Sequence, residues 1–333
     1  LCILTGGNID LSVGATVCLV GAIAGVLMVN MGWNIYLVMI ICLLVGVAIG
    51  VWQGFWIAYV RIPPFIVTLA GMLLFRGLAQ AILGGTTISG FSDAYLSIFN
   101  NYVMIPALDS GVVKYSSIIF GVICCAVFIV ATIWTNLSKK RKGYAAEKPA
   151  SLYSRIVLLC AIVMLLMYKL SLYKGVPYIL LWLIGIVAIY TYITAKTTFG
   201  RHFYALGGNE KATKLSGINT NRIYFSAYVN VSFLSALAAL VVAARFTSAN
   251  PAAGTNYELD AIGSCFIGGA SAYGGIGKVS GVVVGAVLMG VLNLGMNIIG
   301  VDSNFQKVVK GLVLLAAVIF DVVSKRRAVK SLA

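Results

Sequence analysis

Charged side chains are scarce in this sequence of 333 residues. Only 10% of the residues are charged, whereas a soluble domain usually carries about a quarter. Hydrophobic residues make up 61% of the chain, and its mean hydropathy is +1.00. This composition excludes a domain whose whole surface faces water, and it predicts a membrane protein.

Catalytic and metal-binding groups are also sparse. The chain has one histidine, His202, and it shows no paired carboxylates and no nucleophile beside a base. It has no Gly-x-x-x-x-Gly-Lys-Ser/Thr loop, the sequence that cradles nucleotide phosphates. Its seven cysteines have neither metal-ligand spacing nor that of a secreted disulfide framework. The sequence therefore predicts no enzyme activity, no metal site and no cofactor bound by this chain.

Long apolar runs occupy most of the chain. A run of about 18 residues or more can cross a ~30 Å hydrocarbon layer as a helix. These runs are apolar nearly all round, unlike the one-sided stripe of a soluble core helix. We predict an all-α, polytopic membrane protein with about ten spans. The spans are expected at residues 11–30, 34–60, 63–83, 115–136, 155–173, 177–195, 223–245, 260–276, 279–300 and 307–323.

The beginning of the sequence shows neither an initiator methionine nor a signal peptide. It opens on Leu1-Cys2-Ile3-Leu4, which resembles the end of an apolar segment already under way. We therefore expect further N-terminal spans before Leu1.

The net charge of +15 is distributed unevenly along the chain. Basic residues cluster in 139–155, 196–222 and 325–330, while most acidic residues fall in the alternate gaps. Because basic loops remain on the cytoplasmic side of a membrane, these three stretches are predicted to face the cytoplasm. Residues 84–114 and 246–259 are then predicted to face outward. This arrangement explains the charge without nucleic acid, and we predict no nucleic-acid partner.

Two of the predicted spans are unusual. Pro63-Pro64 opens one of them, where the fixed backbone angle of proline suits the first turn of a helix. The span 260–276 is short and rich in small residues. Such a segment either packs closely against another helix or is broken and lines a pathway, and the sequence leaves both interpretations open.

Three short patterns occur twice in the same order, which predicts an internal repeat. The two copies begin on opposite sides of the predicted membrane, so the repeat is inverted. Inverted repeats are typical of transporters, whose pathway lies between the halves. The pairs are Asp10-Leu11 with Leu259-Asp260, the glycines Gly46 and Gly50 with Gly281 and Gly285, and Arg76-Gly77-Leu78 with Lys310-Gly311-Leu312.

Polar residues within or beside the spans are candidates for a translocation path, because such groups are costly in lipid. They form no relay of buried carboxylates, which a proton-coupled carrier would require. Polar and aromatic groups at mid-span suit a neutral polyhydroxyl solute, although each has helix packing or an interface anchor as its alternative. The candidate path residues are Asp10, Trp52, Gln53, Asp260, Ser264, Asn293 and Asn297.

The basic loop 196–222 is too long for a tight connection between spans. Asn209 followed by Glu210 predicts a helix cap, and Gly217 predicts the end of that helix. Ala212, Leu215 and Ile218 recur between them at helical spacing. A short amphipathic helix bounded by glycines suits docking of a cytoplasmic partner, and an ordinary surface loop is the alternative.

The same loop resembles a known family. Its pattern Gly200-Arg201-x-x-Tyr204-Ala205-x-Gly207-Gly208-Asn209-x-x-Ala212-x-x-x-Ser216-Gly217-Ile218 is similar to the coupling loop of carbohydrate ABC permeases. The stretches 9–14, 64–77 and 258–275 also agree, so the resemblance covers essentially the whole chain. The added pair of spans before the loop looks most like the longer xylose or multiple-monosaccharide permeases. Family members often carry Ala-Ala where this chain has Gly263-Ser264.

This resemblance implies a single transmembrane permease domain over residues 1–333 in the bacterial cytoplasmic (inner) membrane. By this resemblance it would import a monosaccharide as part of an assembly similar to that of the family. The assembly contains a pair of permease copies, a cytoplasmic ABC ATPase that uses ATP-Mg, and an extracytoplasmic sugar-binding protein. The alternatives are a branched-chain amino-acid ABC permease and an ion-coupled secondary carrier. The residues that the resemblance assigns to ATPase contact are Gly200, Arg201, Tyr204, Ala205, Gly207, Gly208, Asn209, Ala212 and Gly217.

Overall fold

The computed structural model describes residues 1–105, 109, 113–143 and 149–330, with 324–330 described by their backbone alone. In this part of the chain it has fourteen α-helices and four strands of two residues each, which confirms the all-α class. Parts of the predicted basic stretches, residues 144–148 and the side chains of 325–330, lie outside the described residues. The chain forms two compact units, Leu1–Leu96 with Leu183–Ala333, and Ser97–Trp182.

The first unit holds both copies of the predicted repeat. Its N-terminal part contains α1 (Cys2–Thr5), α2 (Val13–Gly25) with a π-helical turn (Val26–Asn30), α3 (Ile35–Ala58), α4 (Pro64–Leu83) and β1 (Ile88–Ser89). Its C-terminal part contains α9 (Thr198–Gly208), α10 (Glu210–Leu215), α11 (Thr220–Phe246), β4 (Ser248–Ala249), α12 (Tyr257–Ile267), α13 (Val279–Ile298) and α14 (Ser303–Lys330).

The second unit is built on a helical hairpin of α6 (Tyr115–Arg141) and α7 (Pro149–Ser171). The hairpin packs closely, since a Cβ added at Gly121 would lie 2.8 Å from Cγ of Met167. Strands β2 (Tyr102–Val103) and β3 (Val176–Pro177) pair antiparallel in this unit. Helices α5 (Asp93–Asn100) and α8 (Tyr178–Lys196) run across the boundary between the two units.

Eight helices among the described residues are long and apolar enough to cross a membrane, and they match eight of the ten predicted spans. Helix α6 extends to Arg141, beyond the predicted end at 136, because basic side chains favour the last turn of a helix. The eight are Val13–Asn30, Ile35–Ala58, Pro64–Leu83, Tyr115–Arg141, Pro149–Ser171, Tyr178–Lys196, Thr220–Phe246 and Val279–Ile298.

The two remaining predicted spans differ from the expectation. Residues 260–276 do not form one helix, because α12 ends at Ile267 and turns follow up to α13. Eleven residues of helix reach only about 16 Å, too short to cross the hydrocarbon layer alone. Residues 307–323 lie inside the longer α14, where Lys307, Lys310 and Asp321 interrupt the apolar sequence.

Local sequence explains where several spans begin and end. The side chain of Asn34 caps α3 by accepting hydrogen bonds from the backbone N–H groups of Tyr36 and Leu37. Pro64 is the first residue of α4, as predicted from Pro63-Pro64. The same helix ends at Gly84, whose φ of 58° is left-handed and favours glycine.

The glycine pairs of the repeat perform the same packing role in each half. A Cβ at Gly46 would lie 2.4 Å from Cβ of Ala236, so α3 lies directly against α11. A Cβ at Gly285 would lie 2.0 Å from the carbonyl oxygen of Ser264, so α13 lies directly against α12. Small residues allow such close approach between helices in lipid.

The chain between α11 and α12 is not helical, although it runs along a spanning helix. Ala249 lies against Gly25 at the end of α2, and Gly254 lies against Gly14 near the start of the same helix. Beyond α12, the N–H of Gly275 donates to the carbonyl of Thr5. Residues 247–267 therefore form a non-helical stretch followed by a short helix, which we name the broken crossing. The glycine-rich segment 260–276 also packs closely against α13, as the first of the two interpretations expects. Its lining of a pathway stays a prediction.

Candidate functional site

The coupling segment, residues 196–222, folds into two short helices. As predicted, Asn209 caps α10, and its Oδ1 accepts from the Ala212 N–H at 3.0 Å. Helix α10 ends before Gly217, whose φ of 79° is left-handed. Helix α9 was not predicted; Thr197 caps it, and Phe203 and Leu206 bury its inner face, a spacing of three that the sequence already contained.

The coupling segment is anchored by apolar contacts. Phe203 and Leu206 are 2% and 3% exposed and pack in one cluster with Ile3, Ile57 and Tyr228. Residues from α1, α3 and α11 thus meet on one face of α9. A displacement of α9 must therefore involve the ends of three other helices.

The predicted ATPase-contact residues divide into packed and exposed positions. A Cβ at Gly200 would lie 2.2 Å from the carbonyl oxygen of Ile193, so this glycine serves close packing. Leu215, outside the predicted contact set, is 89% exposed. Tyr204 and Gly207 are half-buried, and the exposed members of the set are Arg201, Ala205, Gly208, Asn209, Ala212 and Gly217.

Gly207 lies at a junction between the coupling segment and both halves of the repeat. A Cβ here would lie 1.7 Å from the carbonyl oxygen of Thr5 and 2.6 Å from the nitrogen of Gly275. The Gly275 N–H donates to that same Thr5 carbonyl at 2.8 Å. The segment therefore touches the end of α1 and the loop after α12, and no larger side chain fits at Gly207.

Arg61 ties the α3–α4 loop to the coupling segment. Its Nη1 lies 2.8 Å from Oε1 of Glu210, and its Nη2 donates to Asn221. Tyr224 donates to the other Glu210 oxygen at 3.0 Å. Desolvation raises the pKa of Glu210, but the hydrogen bonds from Arg61 and Tyr224 outweigh it and lower the pKa on balance.

Two predicted path residues, Asp10 and Gln53, meet in a buried polar group that we name the Asp10 cluster, with Ser12 and Tyr228. Oδ1 of Asp10 accepts from the Ser12 N–H at 2.8 Å and the Ser12 hydroxyl at 2.7 Å. Nε2 of Gln53 donates to that hydroxyl at 2.6 Å. Tyr228 interacts electrostatically with Asp10, and its hydroxyl has no partner among the described residues.

Three other predicted path residues meet in a second group, the Asp260 cluster, with Lys310. Oδ2 of Asp260 lies 2.9 Å from Nζ of Lys310 and accepts from Nδ2 of Asn293 at 3.2 Å. The Ser264 hydroxyl donates to the Asp260 carbonyl at 2.6 Å. This cluster joins α12, α13 and α14, as the Asp10 cluster joins the segment before α2 to α3 and α11.

The broken crossing carries its own polar partner and a cavity. Nη1 of Arg76 donates to the carbonyls of Ala253 at 2.6 Å and Pro251 at 3.3 Å. Non-helical backbone at membrane depth requires such partners, because lipid supplies none. A cavity of about 300 Å³ borders the same stretch. Its lining includes Ser248, Asn250, Thr255 and Tyr257.

The structure does not bring Trp52 and Asn297 into either cluster. Trp52 packs edge-on against Phe75, with ring centroids 5.8 Å apart. Oδ1 of Asn297 accepts from Nε2 of Gln306 at 2.8 Å, near the turn between α13 and α14. Both contacts correspond to the packing alternative. Among the described residues no group of three or more His, Cys, Asp or Glu side chains is arranged to hold a metal ion.

Sequence reasoning missed several members of these sites. Ser12 follows Asp10 by two residues, the spacing of an Asx turn, and this was the available signal. Tyr228 had no signal, because its position depends on how α11 packs against α3. Lys310 was identified as part of the internal repeat, but its pairing with Asp260 needed the tertiary structure.

Comparison with known proteins finds a family and several relatives. The family model described as branched-chain amino acid transport system / permease component matches residues 1–318. The xylose transport system permease protein XylH of Haemophilus influenzae is 36% identical over 98% of this chain and 84% of its own length. XylH of Escherichia coli is 38% identical over 98% of this chain and 80% of its own length.

A relative named for ribose import is nearly as similar. The ribose import permease protein RbsC of Escherichia coli is 34% identical over 96% of this chain and 79% of its own length. No solved structure matches this chain. The matches cover nearly the whole sequence, so both polar clusters and the coupling segment lie within the shared region.

Proposed function

The chain belongs to the family of branched-chain amino acid transport system permease components, and from this membership we propose that it is the permease subunit of an ATP-driven monosaccharide importer. The relatives that cover nearly all of it are named for xylose and ribose transport. Both names refer to pentoses, which supports a neutral sugar of this size as the substrate. The eight apolar helices provide the multi-pass membrane domain that such a subunit requires.

The coupling segment is the observation that carries the proposal. Helix α10 ends on the exposed Leu215, and the inner face of the preceding α9 is anchored on α1, α3 and α11. An exposed leucine next to an anchored helix can gain free energy by burial in a pocket of a partner protein. We propose that this partner is a cytoplasmic ABC ATPase, whose bound ATP-Mg supplies the energy.

Movement of the coupling segment would reach both halves of the repeat through Gly207. Gly207 contacts Thr5 and Gly275. A displacement of α9 would therefore move the segment before Asp10 and the loop that follows α12, the helix of Asp260. The path is proposed to pass between the two clusters and to open alternately at each. A second permease copy, surrounding lipid and an extracytoplasmic sugar-binding protein complete the proposed assembly.

A branched-chain amino-acid permease and an ion-coupled carrier are the competing functions, and the family description names the first. Against the first stand the relatives named for sugars. An ion-coupled carrier has no need of an anchored docking helix with an exposed leucine.

Uptake in cells tests the proposal directly. The permease is co-expressed with its ATPase and binding protein, and labelled pentoses, hexoses and branched-chain amino acids are compared with and without ATP depletion. We expect ATP-dependent pentose uptake, and a reduction of about tenfold in Leu215→Ala, because burying a leucine side chain in an interface is worth about 1.5 kcal/mol or more.

Leu73→Ala is the matched control, since Leu73 is 66% exposed on a spanning helix away from the coupling segment. It should leave uptake unchanged. Uptake that survives ATP depletion but requires an ion gradient would contradict the proposal. Transport of branched-chain amino acids but not of sugars would show that the proposed substrate class is wrong and that the substrate is the one named in the family description.

A further inference from the structure

The carboxyl group of Asp10 is buried without a compensating cation. Asp10 is 6% exposed, and Ser12 and Gln53 beside it are 1% and 0% exposed. Oδ1 accepts both hydrogen bonds from Ser12, whereas Oδ2 is buried and has no partner among the described residues. The carboxyl therefore lies in a dry site with one oxygen unused.

The elements around Asp10 supply polar but uncharged groups. Helix α3 contributes Gln53, which donates to the same Ser12 hydroxyl that bonds Asp10, and α11 contributes Tyr228, the titratable group of this set. The basic residue of α4, Arg76, is bonded to the broken crossing instead. The hydrogen bonds to Asp10 in the described part of the chain come from Ser12.

An unpaired carboxylate in such a site is strongly unfavourable, and a carboxyl group there takes up a proton instead. We propose that Asp10 binds a proton on Oδ2 and is held as the neutral carboxylic acid in this conformation. The proposal concerns a binding site for a proton, and it stands independently of which solute the protein transports.

The hydrogen-bonding inventory of the cluster supports the added proton. The buried unpartnered atoms are Oδ2 of Asp10, Oε1 of Gln53 and the hydroxyl of Tyr228. An ionised carboxylate and an amide oxygen only accept, so neither Oδ2 of Asp10 nor Oε1 of Gln53 can satisfy the other. A proton on Oδ2 makes Asp10 a donor, which removes this mismatch between two buried acceptors.

This proton would be retained only while the site excludes water. Entry of water on opening would solvate the carboxylate and favour its release. A single acid of this kind is not a relay, since Asp10 makes no hydrogen bond to a second carboxyl among the described residues. The protonation state of Asp10 would therefore depend on whether the site around it is closed to water.

Infrared spectroscopy of the complete permease in lipid tests the proposal. The carbonyl stretch of a protonated carboxylic acid should appear at neutral pH in the wild-type protein and disappear in Asp10→Asn. Asp93→Asn is the control, since Asp93 is exposed at the start of α5 and should contribute no such band. A wild-type spectrum without a difference from Asp10→Asn would overturn the proposal.

Thermal unfolding provides a second measurement. Asparagine has the shape of the neutral acid, so Asp10→Asn should keep the wild-type midpoint, while Asp10→Ala leaves Ser12 without its acceptor and should lower it. A loss with asparagine equal to that with alanine would mean that the negative charge is needed, for instance to bind a cation. If Asp10→Asn fails to fold, ¹³C-labelling of aspartate decides, and an unshifted wild-type band would overturn the proposal.

Discussion

Asp10 and Asp260 occupy corresponding places in the two halves of the repeat, yet their surroundings differ. Asp260 has a cationic partner, with Nζ of Lys310 at 2.9 Å, and its side chain is 24% exposed. Asp10 is more deeply buried, and its hydrogen bonds come from Ser12. Similar sequence patterns thus produce an ion pair in one half and an uncharged cluster in the other.

The difference follows from the place of the basic residue in each half. Lys310 is the counterpart of Arg76 in the repeat, but Arg76 donates to the carbonyls of Pro251 and Ala253. The broken crossing of the second half leaves backbone acceptors unpaired, and a guanidinium has several donors to satisfy them. The first half therefore supplies a cation to the second half, and Asp10 has none.

Removing the cation from the Asp260 cluster should give the largest effect. Lys310→Met leaves Asp260 and its Asn293 contact without a positive charge, which should cost about 3 kcal/mol of unfolding free energy. The pair is 14% and 24% exposed, so the lower end of the range for buried pairs applies. Thermal unfolding in lipid nanodiscs measures the loss.

The double variant Lys310→Met with Asp260→Asn is the matched control for that loss. It removes both charges and should recover most of the stability, since no unpaired carboxylate remains. Equal destabilisation of the single and double variants would show that Lys310 acts through packing alone. In that case the charge of Lys310 would not explain why the Asp260 cluster differs from the Asp10 cluster.

An intermediate effect is expected from the hydroxyl that joins Asp10 to Gln53. Ser12→Ala removes a donor to Asp10 and an acceptor for Gln53, so unfolding free energy should fall by about 2 kcal/mol. Ser226→Ala is the control, because the Ser226 hydroxyl bonds only to the Ile223 carbonyl of its own helix in the described structure. Similar midpoints for the two variants would mean that the Asp10 cluster contributes no stability.

The smallest effect on stability is expected from the ion pair of Arg61 with Glu210, which is exposed, whereas both clusters are largely buried. Because folding lowers the pKa of Glu210, its stabilising contribution is present above the pKa of the unfolded chain. That contribution disappears as pH falls through the lower, folded pKa. The pair is 43% and 39% exposed, so solvent screens it.

The comparison of wild type with Glu210→Gln over a range of pH measures this contribution. The wild type should unfold at a slightly higher temperature near neutral pH, and the difference should vanish in acid. A difference that persists when Glu210 is protonated would come from hydrogen bonding and not from charge.

Much of the fold was predictable because lipid imposes strong constraints on sequence. Eight of the predicted spans correspond to spanning helices, and Asn209 and Gly217 correctly marked the ends of α10. Helix α12 was harder to place, since glycine-rich apolar sequence is compatible with both a packed helix and a broken one. The contact roles of Gly200–Gly217 and the path residues stay predictions.

The sequence by itself determined the membrane environment, the helical class and the short capped helix, because each depends on composition or on local spacing. Tertiary structure alone decided which aspartate acquired a cation. Arg76 and Lys310 have the same local setting, and their different partners follow from where the broken crossing brings unpaired carbonyls within reach. Such long-range pairing leaves no periodic trace in the sequence.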